Sequence, residues 1–280
     1  MQYKLTVVIL TYNEEIHIER AIRNVLNWAD KIIVLDSYSQ DRTVDLAKTL
    51  GAEVISRKFD DYKNQRQFAI DYCKNLTEWM LFLDADEYLL DALKDEILIK
   101  LKSTVDVAGY YLCRRAIFMG KWIRYGGYYP TYILRLFKPQ LARLDEAVNE
   151  HVMVSGQTAK LRHDFVDRNL KDISFWLDKH NRYTSLGARD LILLREKKIN
   201  KAKNLRFTVQ AERKRWIREN IWDRFPLLIR PFIYFFYRYV IRLGFLDGRV
   251  GFIYHFLQGG LNYFLIDVKF LEEKMHQRRS

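Results

Sequence analysis

The feature that most constrains this chain is an apolar run that stops abruptly against carboxylates. Trp79-Met80-Leu81-Phe82-Leu83 is followed at once by Asp84-Ala85-Asp86-Glu87. A run with no polar alternation leaves no face for water, so it suits a strand buried on both sides, as in a parallel sheet covered by helices. Asp84 and Asp86 are two residues apart, so on an extended or just-turning backbone they point the same way. Convergent carboxylates repel each other unless a cation or a proton sits between them. Hard oxygen donors of this kind suit Mg2+ or Mn2+, which in turn suit the phosphates of a nucleotide. The competing account makes these acids the first turn of a helix, where the dipole favours them.

Earlier segments repeat the pattern. Leu5 to Leu10 reads as a first buried strand and ends in Thr11-Tyr12-Asn13-Glu14-Glu15. A helical stripe follows at Ile16, Ile18, Ala21, Ile22, Val25 and Leu26, with Asn13 as the expected N-cap. Lys31 to Leu35 is a second strand, ending in Asp36-Ser37-Tyr38-Ser39-Gln40-Asp41-Arg42-Thr43. A helix to Leu50, a third strand over Ala52 to Ile55 and a helix over Tyr62 to Lys74 come next. Strands and helices alternating through short connections predict a parallel sheet with helices on both faces, whose ligand crevice lies at the carboxyl ends of the strands. No Gly-x-Gly-x-x-Gly follows the first strand and no Gly-x-x-x-x-Gly-Lys-Ser/Thr occurs anywhere. Carboxylates, not glycines, gather at the mouth of the sheet, so phosphates are expected to be held through a cation.

At 280 residues, with 49% hydrophobic and 29% charged residues, the chain holds enough apolar material for one large domain or a domain with an appendage. The net charge of +12 is uneven: residues 201–280 carry 16 Lys/Arg against 7 Asp/Glu, or +9. Cys73 and Cys113 are isolated, which points to neither a disulfide framework nor a zinc site. The first residues run into a strand pattern without a signal-peptide core, so a cytoplasmic protein is expected. Val250 to Ile266 lacks charged residues, but His255, Gln258, Gly259-Gly260 and Asn262 interrupt it, so no transmembrane helix is expected.

Three segments in order, Thr6 to Glu15, Asp36 to Thr43 and Leu81 to Glu87, resemble the family 2 glycosyltransferases with the GT-A fold in both sequence and spacing. The resemblance implies a sugar-nucleotide donor and inversion at the anomeric carbon. It implies that Thr11, Asn13 and Glu14 line the nucleoside pocket and that Asp36 meets the base. Asp84 is then expected at the ribose or base side, and Asp86 as the ligand of the metal on the diphosphate.

Val107 to Cys113 and Ile133 to Phe137 read as further strands, with Arg135 inside the second. Between them, Lys121 to Tyr129 is rich in aromatics and glycine and suits either a sugar-ring platform or a loop packed on its own domain. Inverting transfer to a hydroxyl needs a base on the acceptor side. Asp145, Glu146, Glu150 and His151 are the candidates. Relatives resembling the lipopolysaccharide-core and peptide-modifying branches carry Val-His-Glu about here, where this chain has Val148-Asn149-Glu150, so Glu150 is the first choice and Glu146 the second. His163 is the expected second metal ligand, returning from the far half of the sheet. Arg135, Lys179 and Arg182 are the cations expected to meet the diphosphate.

Leu170 to Ile199 has a helical pattern, and from Ile221 onward Arg224, Arg230, Arg238 and Arg242 punctuate runs of Leu, Ile, Phe and Tyr. Arginines among aromatics match an element lying in the interface of an anionic membrane better than a nucleic-acid surface. A packed helical hairpin and a homodimer interface are the other uses of such a tail. Gly244-Phe245-Leu246-Asp247-Gly248 is expected to break the helix, and it resembles the tail of bacterial lipopolysaccharide-core glycosyltransferases.

The expectation is therefore an α/β protein, GT-A-like, with a mostly parallel sheet flanked by helices. Residues 1–168 are expected to bind the nucleotide sugar and carry the catalytic groups. Residues 169–280 are expected to form a helical, basic and aromatic region for membrane association or oligomerisation. The implied activity is Mn2+- or Mg2+-dependent transfer of a hexose, from a UDP-linked donor, to a hydroxyl of a bacterial glycolipid such as the lipopolysaccharide core, at the cytoplasmic face of the cell membrane. A polyprenyl phosphate or peptide acceptor, a phosphatase and a non-catalytic membrane scaffold are the alternatives.

Overall fold

The computed structural model describes residues 3–102, 106–144, 152–195 and 225–279. They fall into two compact units, one formed by residues 1–117 and 130–170, the other by 118–129 and 171–280.

The first unit runs β1 (Tyr3–Thr11), α1 (Glu15–Val25), β2 (Lys31–Asp36), α2 (Thr43–Thr49), β3 (Glu53–Ser56), α3 (Tyr62–Cys73) and β4 (Thr77–Asp84). It continues with β5 (Glu87–Leu89), α4 (Asp91–Leu101) and β6 (Gly109–Phe118). After β7 (Lys121–Trp122), which belongs to the other unit, come β8 (Thr131–Phe137), β9 (Ala142–Leu144), β10 (Val152–Val154) and β11 (Thr158–Arg168).

The main sheet has the strand order β3-β2-β1-β4-β8-β6-β11-β5. The first four strands are parallel, β8 runs antiparallel to both β4 and β6, and β11 lies parallel to β6. β5 closes the order, antiparallel to β11. Only Ala85 and Asp86 separate β4 from β5, so the two strand ends lie within about 11 Å of each other along the chain. Because β5 stands last in the pairing order, the sheet must curl to bring β11 round to the mouth of β4.

The uninterrupted apolar runs are explained by helices on both faces. Val7, Ile9, Leu81 and Leu83 point into one core with Ile18, Ile22 and Val25 of α1 and Leu93 and Ile97 of α4. Their neighbours Val8, Met80 and Phe82 point into the other, against Ala69, Ile70 and Cys73 of α3. Alternate residues of one strand thus fill opposite cores, which is why no polar residue interrupts β4. Cys73 and Cys113 are both free and buried. Asn13 is not the N-cap of α1: it takes a left-handed φ of 53°, and Glu14 precedes the helix without a side-chain cap.

The second unit is helical. It contains α5 (Ile173–Arg195) and α6 (Arg230–Phe236), the latter continuing as a π-helical turn over Tyr237–Ile241. A 3-10 turn (Gly244–Asp247) leads to α7 (Gly248–His255), a second π turn (Phe256–Leu261) and α8 (Asn262–Arg279). Ala188, Leu191 and Ile192 of α5 pack on Phe270 of α8. Asp267 of α8 anchors the start of α6, accepting from Arg230 Nε at 2.8 Å and from the amide of Leu228 at 2.8 Å. The expected break before α7 is present, with left-handed φ at Leu243 (60°) and Gly248 (66°). Among the described residues no helix is long and apolar enough to cross a membrane.

Asp247, 2% exposed, accepts from the amides of Arg124 at 3.3 Å and Tyr125 at 2.9 Å. Arg238 donates from Nε to the Gly126 carbonyl at 3.0 Å and lies 3.5 Å over the Tyr128 ring. The aromatic segment 121–129 is therefore fastened to the helices by its backbone. His255 fills the space beneath: a Cβ on Gly126 would stand 2.0 Å from its ring, and one on Gly244 2.6 Å. Neither ring nitrogen has a hydrogen-bond partner.

Burial, aided by the nearby Arg238 charge, pushes His255 down to about 4, although the Asp247 carboxylate 3.9 Å from Nε2 opposes that shift. Between that value and the ordinary 6.5 the unfolded chain binds a proton that the folded chain refuses, so stability falls as pH drops through this window. The expected loss by pH 4 is about 3 kcal/mol. Urea unfolding followed from pH 7 to pH 4 checks it, with His255→Gln expected to flatten the slope between pH 6.5 and 5.

Candidate active site

The carboxyl ends of β2, β1 and β4 lie side by side, with Thr11 opposite Asp36 and Leu10 opposite Asp84 in the strand registers. Asp36 is completely buried. Its carboxylate accepts from Thr11 Oγ1 at 3.0 Å, from the Ser39 amide at 2.8 Å and from Ser39 Oγ at 2.5 Å. The loops that follow β1 and β2 then interlock. The Asn13 amide donates to Ser39 Oγ at 2.8 Å, and the Gln40 amide returns to Asn13 Oδ1 at 2.7 Å. The Glu14 amide donates to Thr43 Oγ1 at 2.8 Å, whose hydroxyl donates to Asp41. Above this frame Tyr12 and Tyr38 stand 55% and 56% exposed, two rings flanking the loop tips.

Glu14 serves a neighbour. Its Oε2 lies 2.6 Å from Nδ1 of the buried His17, whose Nε2 accepts from the Leu170 amide at 2.7 Å. Because Nε2 faces an N–H, the ring proton sits on Nδ1 and donates to Glu14. The imidazole thereby ties the start of α1 to the residue just past β11.

At the end of β4 the two aspartates do not share a site. Asp84 takes Arg66 Nη2 of α3 at 3.2 Å and Arg135 Nη2 of β8 at 2.7 Å. The same Arg135 nitrogen lies 2.6 Å from Glu87, which accepts the Asp84 amide at 2.8 Å. Burial pushes the Glu87 carboxyl above its usual range, and Arg135 opposes that shift. Burial also works against the Arg135 charge, but Asp84 and Glu87 outweigh it and hold the guanidinium above its ordinary value. Asp86 lies on the other side of the turn. Its Oδ2 accepts Asn169 Nδ2 at 2.9 Å, and its carbonyl accepts the Arg168 amide and Arg20 Nη2, both at 2.9 Å. Asp86 Oδ1 makes no hydrogen bond among the described residues.

Thr11, Asn13, Glu14, Asp36, Asp84 and Asp86 are thus brought to one edge of the sheet. His163 is not. It sits 49% exposed, with Nδ1 2.9 Å from Glu96 of α4, five residues along β11 from Arg168, or about 16 Å of strand. Arg135 is placed under the turn instead of over a ligand: it is 5% exposed, pairs with the carboxylates of Asp84 and Glu87, and lies 5.7 Å over the Phe165 ring. Lys179 and Arg182 lie on α5 of the helical unit. Asp145, Glu146, Glu150 and His151 fall outside the described residues, between β9 and β10. Arg20, Arg66, Glu87, Asn169 and His17 were missed by sequence reasoning. Of these only Glu87, adjoining the Asp-x-Asp, carried a visible signal.

Among the described residues no three His, Cys, Asp or Glu side chains gather as a ready-made metal cage. A cation carried mainly by phosphate oxygens would need only one or two protein carboxylates, as Mg2+-type sites commonly do. Asp86 offers the open oxygen for it.

A mannosyltransferase from Pyrobaculum calidifontis, solved with GDP-Man and Mn2+, has a similar fold, with TM-score 0.52 and 15% identity over 98% of this chain and 88% of that one. Its likeness identifies the architecture here as GT-A-like. The lipopolysaccharide core biosynthesis glycosyltransferase LpsC of Rhizobium meliloti is 24% identical over 92% of both chains. An uncharacterised glycosyltransferase of Rickettsia bellii is 48% identical over 94 residues, which cover 34% of this chain and only 31% of that relative. The model of glycosyl transferase family 2 matches residues 6–170, well over half of the sequence and the whole of the edge just described, and the chain belongs to that family.

Proposed function

We propose that this protein transfers a hexose, with inversion, from a nucleotide-diphosphate sugar to a hydroxyl of a bacterial glycolipid of the lipopolysaccharide-core class, using Mn2+ or Mg2+. UDP is the first choice of nucleotide. The observation that carries the reading is the alignment of Thr11, Asp36 and Asp84 at the carboxyl ends of three neighbouring strands, with Asp86 in the turn that follows, where an open α/β sheet takes its ligands. The full-length similarity to LpsC supports the acceptor class, and the Mn2+ bound by the Pyrobaculum enzyme is in keeping with the cation.

In this reading the interlocked loops after β1 and β2 form the nucleoside seat, with Asp36 fixing its floor and Tyr12 and Tyr38 beside it. Asp86 would hold the cation through its open oxygen, and Arg66 and Arg135 keep Asp84 turned to its own side of the turn. When bound, the cation supplies counter-charge for the diphosphate as it leaves. The acceptor oxygen forms its bond to the anomeric carbon from the opposite face, the bond to the diphosphate oxygen breaks, and the hydroxyl proton passes to a carboxylate. Glu150 is the proposed base and Glu146 the second choice. Support comes from Leu144, the last described residue before them. Its amide donates to Gln67 Oε1 at 2.9 Å, and the adjacent Arg66 holds Asp84, so Leu144 lies beside the same helix.

Asp86→Ala is expected to weaken metal-dependent UDP binding at least tenfold in calorimetric titration, whereas Asp91→Ala, whose side chain is 95% exposed at the start of α4, leaves it unchanged. Glu150→Gln is expected to lower kcat by about 10²–10⁴ with donor affinity retained. A normal rate in that variant moves the role to Glu146. Arg135→Gln leaves Glu87 buried without its cation and is expected to cost about 3–5 kcal/mol in urea unfolding.

A further inference from the structure

The helix of residues 230–241 is polar inside and apolar outside. Arg230 is 1% exposed and Arg238 7%, while Ile229, Phe232, Phe236 and Ile241 are 57%, 61%, 56% and 60% exposed. Spacings of three, four and five place these four on one side of the helix, with Ile233 and Val240 beside them. The inward side has somewhere to put its polarity: Arg230 pairs with Asp267, and Arg238 meets the Gly126 carbonyl and the Tyr128 ring. A helix bathed only in water has the opposite polarity.

The outward face continues past the break. Leu243, Phe245, Leu246, Phe252 and Phe256 are 43–50% exposed. Half-buried Phe235 and Tyr239 join the two parts, with ring centroids 5.9 Å and 5.5 Å from Phe252, and Phe235 also touches Phe256 at 5.9 Å. Taking roughly 200 Å² per aromatic side chain, the rings of Phe232, Phe236, Phe245, Phe252 and Phe256 alone leave on the order of 500 Å² open, before any aliphatic is added. That already reaches the largest apolar patch of an ordinary monomer.

Charge on this segment decides the occupant. Residues 225–256 contain a single acid, Asp247, and it is turned inward to two backbone amides. The two arginines that are exposed, Arg242 and Arg249, lie in sequence among its exposed apolar residues. An apolar surface interspersed with cations and free of exposed acids is complementary to anionic headgroups over acyl chains. A second copy of the chain would bring the same cations against themselves.

We infer that the outward face of residues 229–256 beds into an anionic lipid surface, with its helices in the plane of the membrane. The inference deepens the glycolipid reading by naming the surface that brings the protein to its acceptor, and its surface argument does not depend on the transfer chemistry.

The test is sedimentation of the full chain with vesicles of phosphatidylglycerol and phosphatidylethanolamine, and with phosphatidylcholine alone. Light scattering without lipid and UDP titration are run on the same preparations. Binding to the anionic vesicles is expected, with at least a tenfold loss in Phe232→Ser/Phe236→Ser and about a fivefold loss in Arg242→Gln. UDP titration unchanged in the serine variant shows that it is folded. Vesicle binding by that folded variant equal to the parent overturns the inference, as does a stable dimer that ignores vesicles. Vesicle binding without any nucleotide binding would uphold the surface while sinking the transferase reading.

Discussion

The guanidinium of Arg135 is the point on which the edge of the sheet depends. One nitrogen bridges Asp84 and Glu87, so a single cation on β8 fixes both ends of the turn between β4 and β5. Glu87 is 3% exposed and would not keep a charge there without a partner. Breaking such a pair leaves a charge stranded, which penalises any conformation in which β8 is not seated beside β4. The network is therefore a register device as much as a source of stability. It sets where the chain leaves β4 and how β5 reaches β11, and it thereby sets the side on which Asp86 emerges.

That arrangement also divides labour between residues that look equivalent in sequence. Asp84 and Asp86 are two apart, and periodicity alone has them converge. In the structure Asp84 is drawn toward α3 and β8 by two arginines, while Asp86 is drawn toward the end of β11 by Asn169. The repulsion expected between them is relieved by separate partners, without requiring a shared proton. An oxygen left open on Asp86 then follows from geometry: its neighbours occupy one carboxylate oxygen and the backbone carbonyl, and nothing described reaches the other.

Much of the fold was legible. The apolar runs gave β1, β2 and β4 to within a few residues, because burial on both faces leaves an uninterrupted signature, and the partly buried edge strand β3 was placed to within a residue after Gly51. The second half was less readable. β5 has three residues and its partner β11 lies far along the chain, so neither periodicity nor turn chemistry announces the curl. The site was legible where residues follow strand ends, and illegible where distant segments supply partners. Arg20 and Arg66 sit on helices whose patterns show only which side is apolar. His163 was misplaced for the same reason: it lies inside the long strand β11, and its distance from Asp86 depends on a pairing that sequence does not display. Arg135 was noticed as a cation within a strand, and the burial that turns it from ligand-binder to internal strut became visible only with Glu87 in place.

The helical unit shows how polarity can be read once packing is known. From sequence, arginines among aromatics favour a bilayer interface, with a packed hairpin or a dimer as the alternatives. Burial separates them, because the arginines at 230 and 238 are inside and the phenylalanines at 232 and 236 are outside. Burying a guanidinium while exposing a phenyl ring is unfavourable in water on both counts. The inward arginines are compensated by Asp267, a carbonyl and a tyrosine face, so the interior is settled on its own terms. What remains uncompensated is the outward apolar face, and its cost is removed only by a non-aqueous neighbour. With Arg242 and Arg249 exposed in the same segment and its one acid turned inward, the face suits a neighbour apolar beneath and negative at the rim, the chemistry of the lipid surface proposed above.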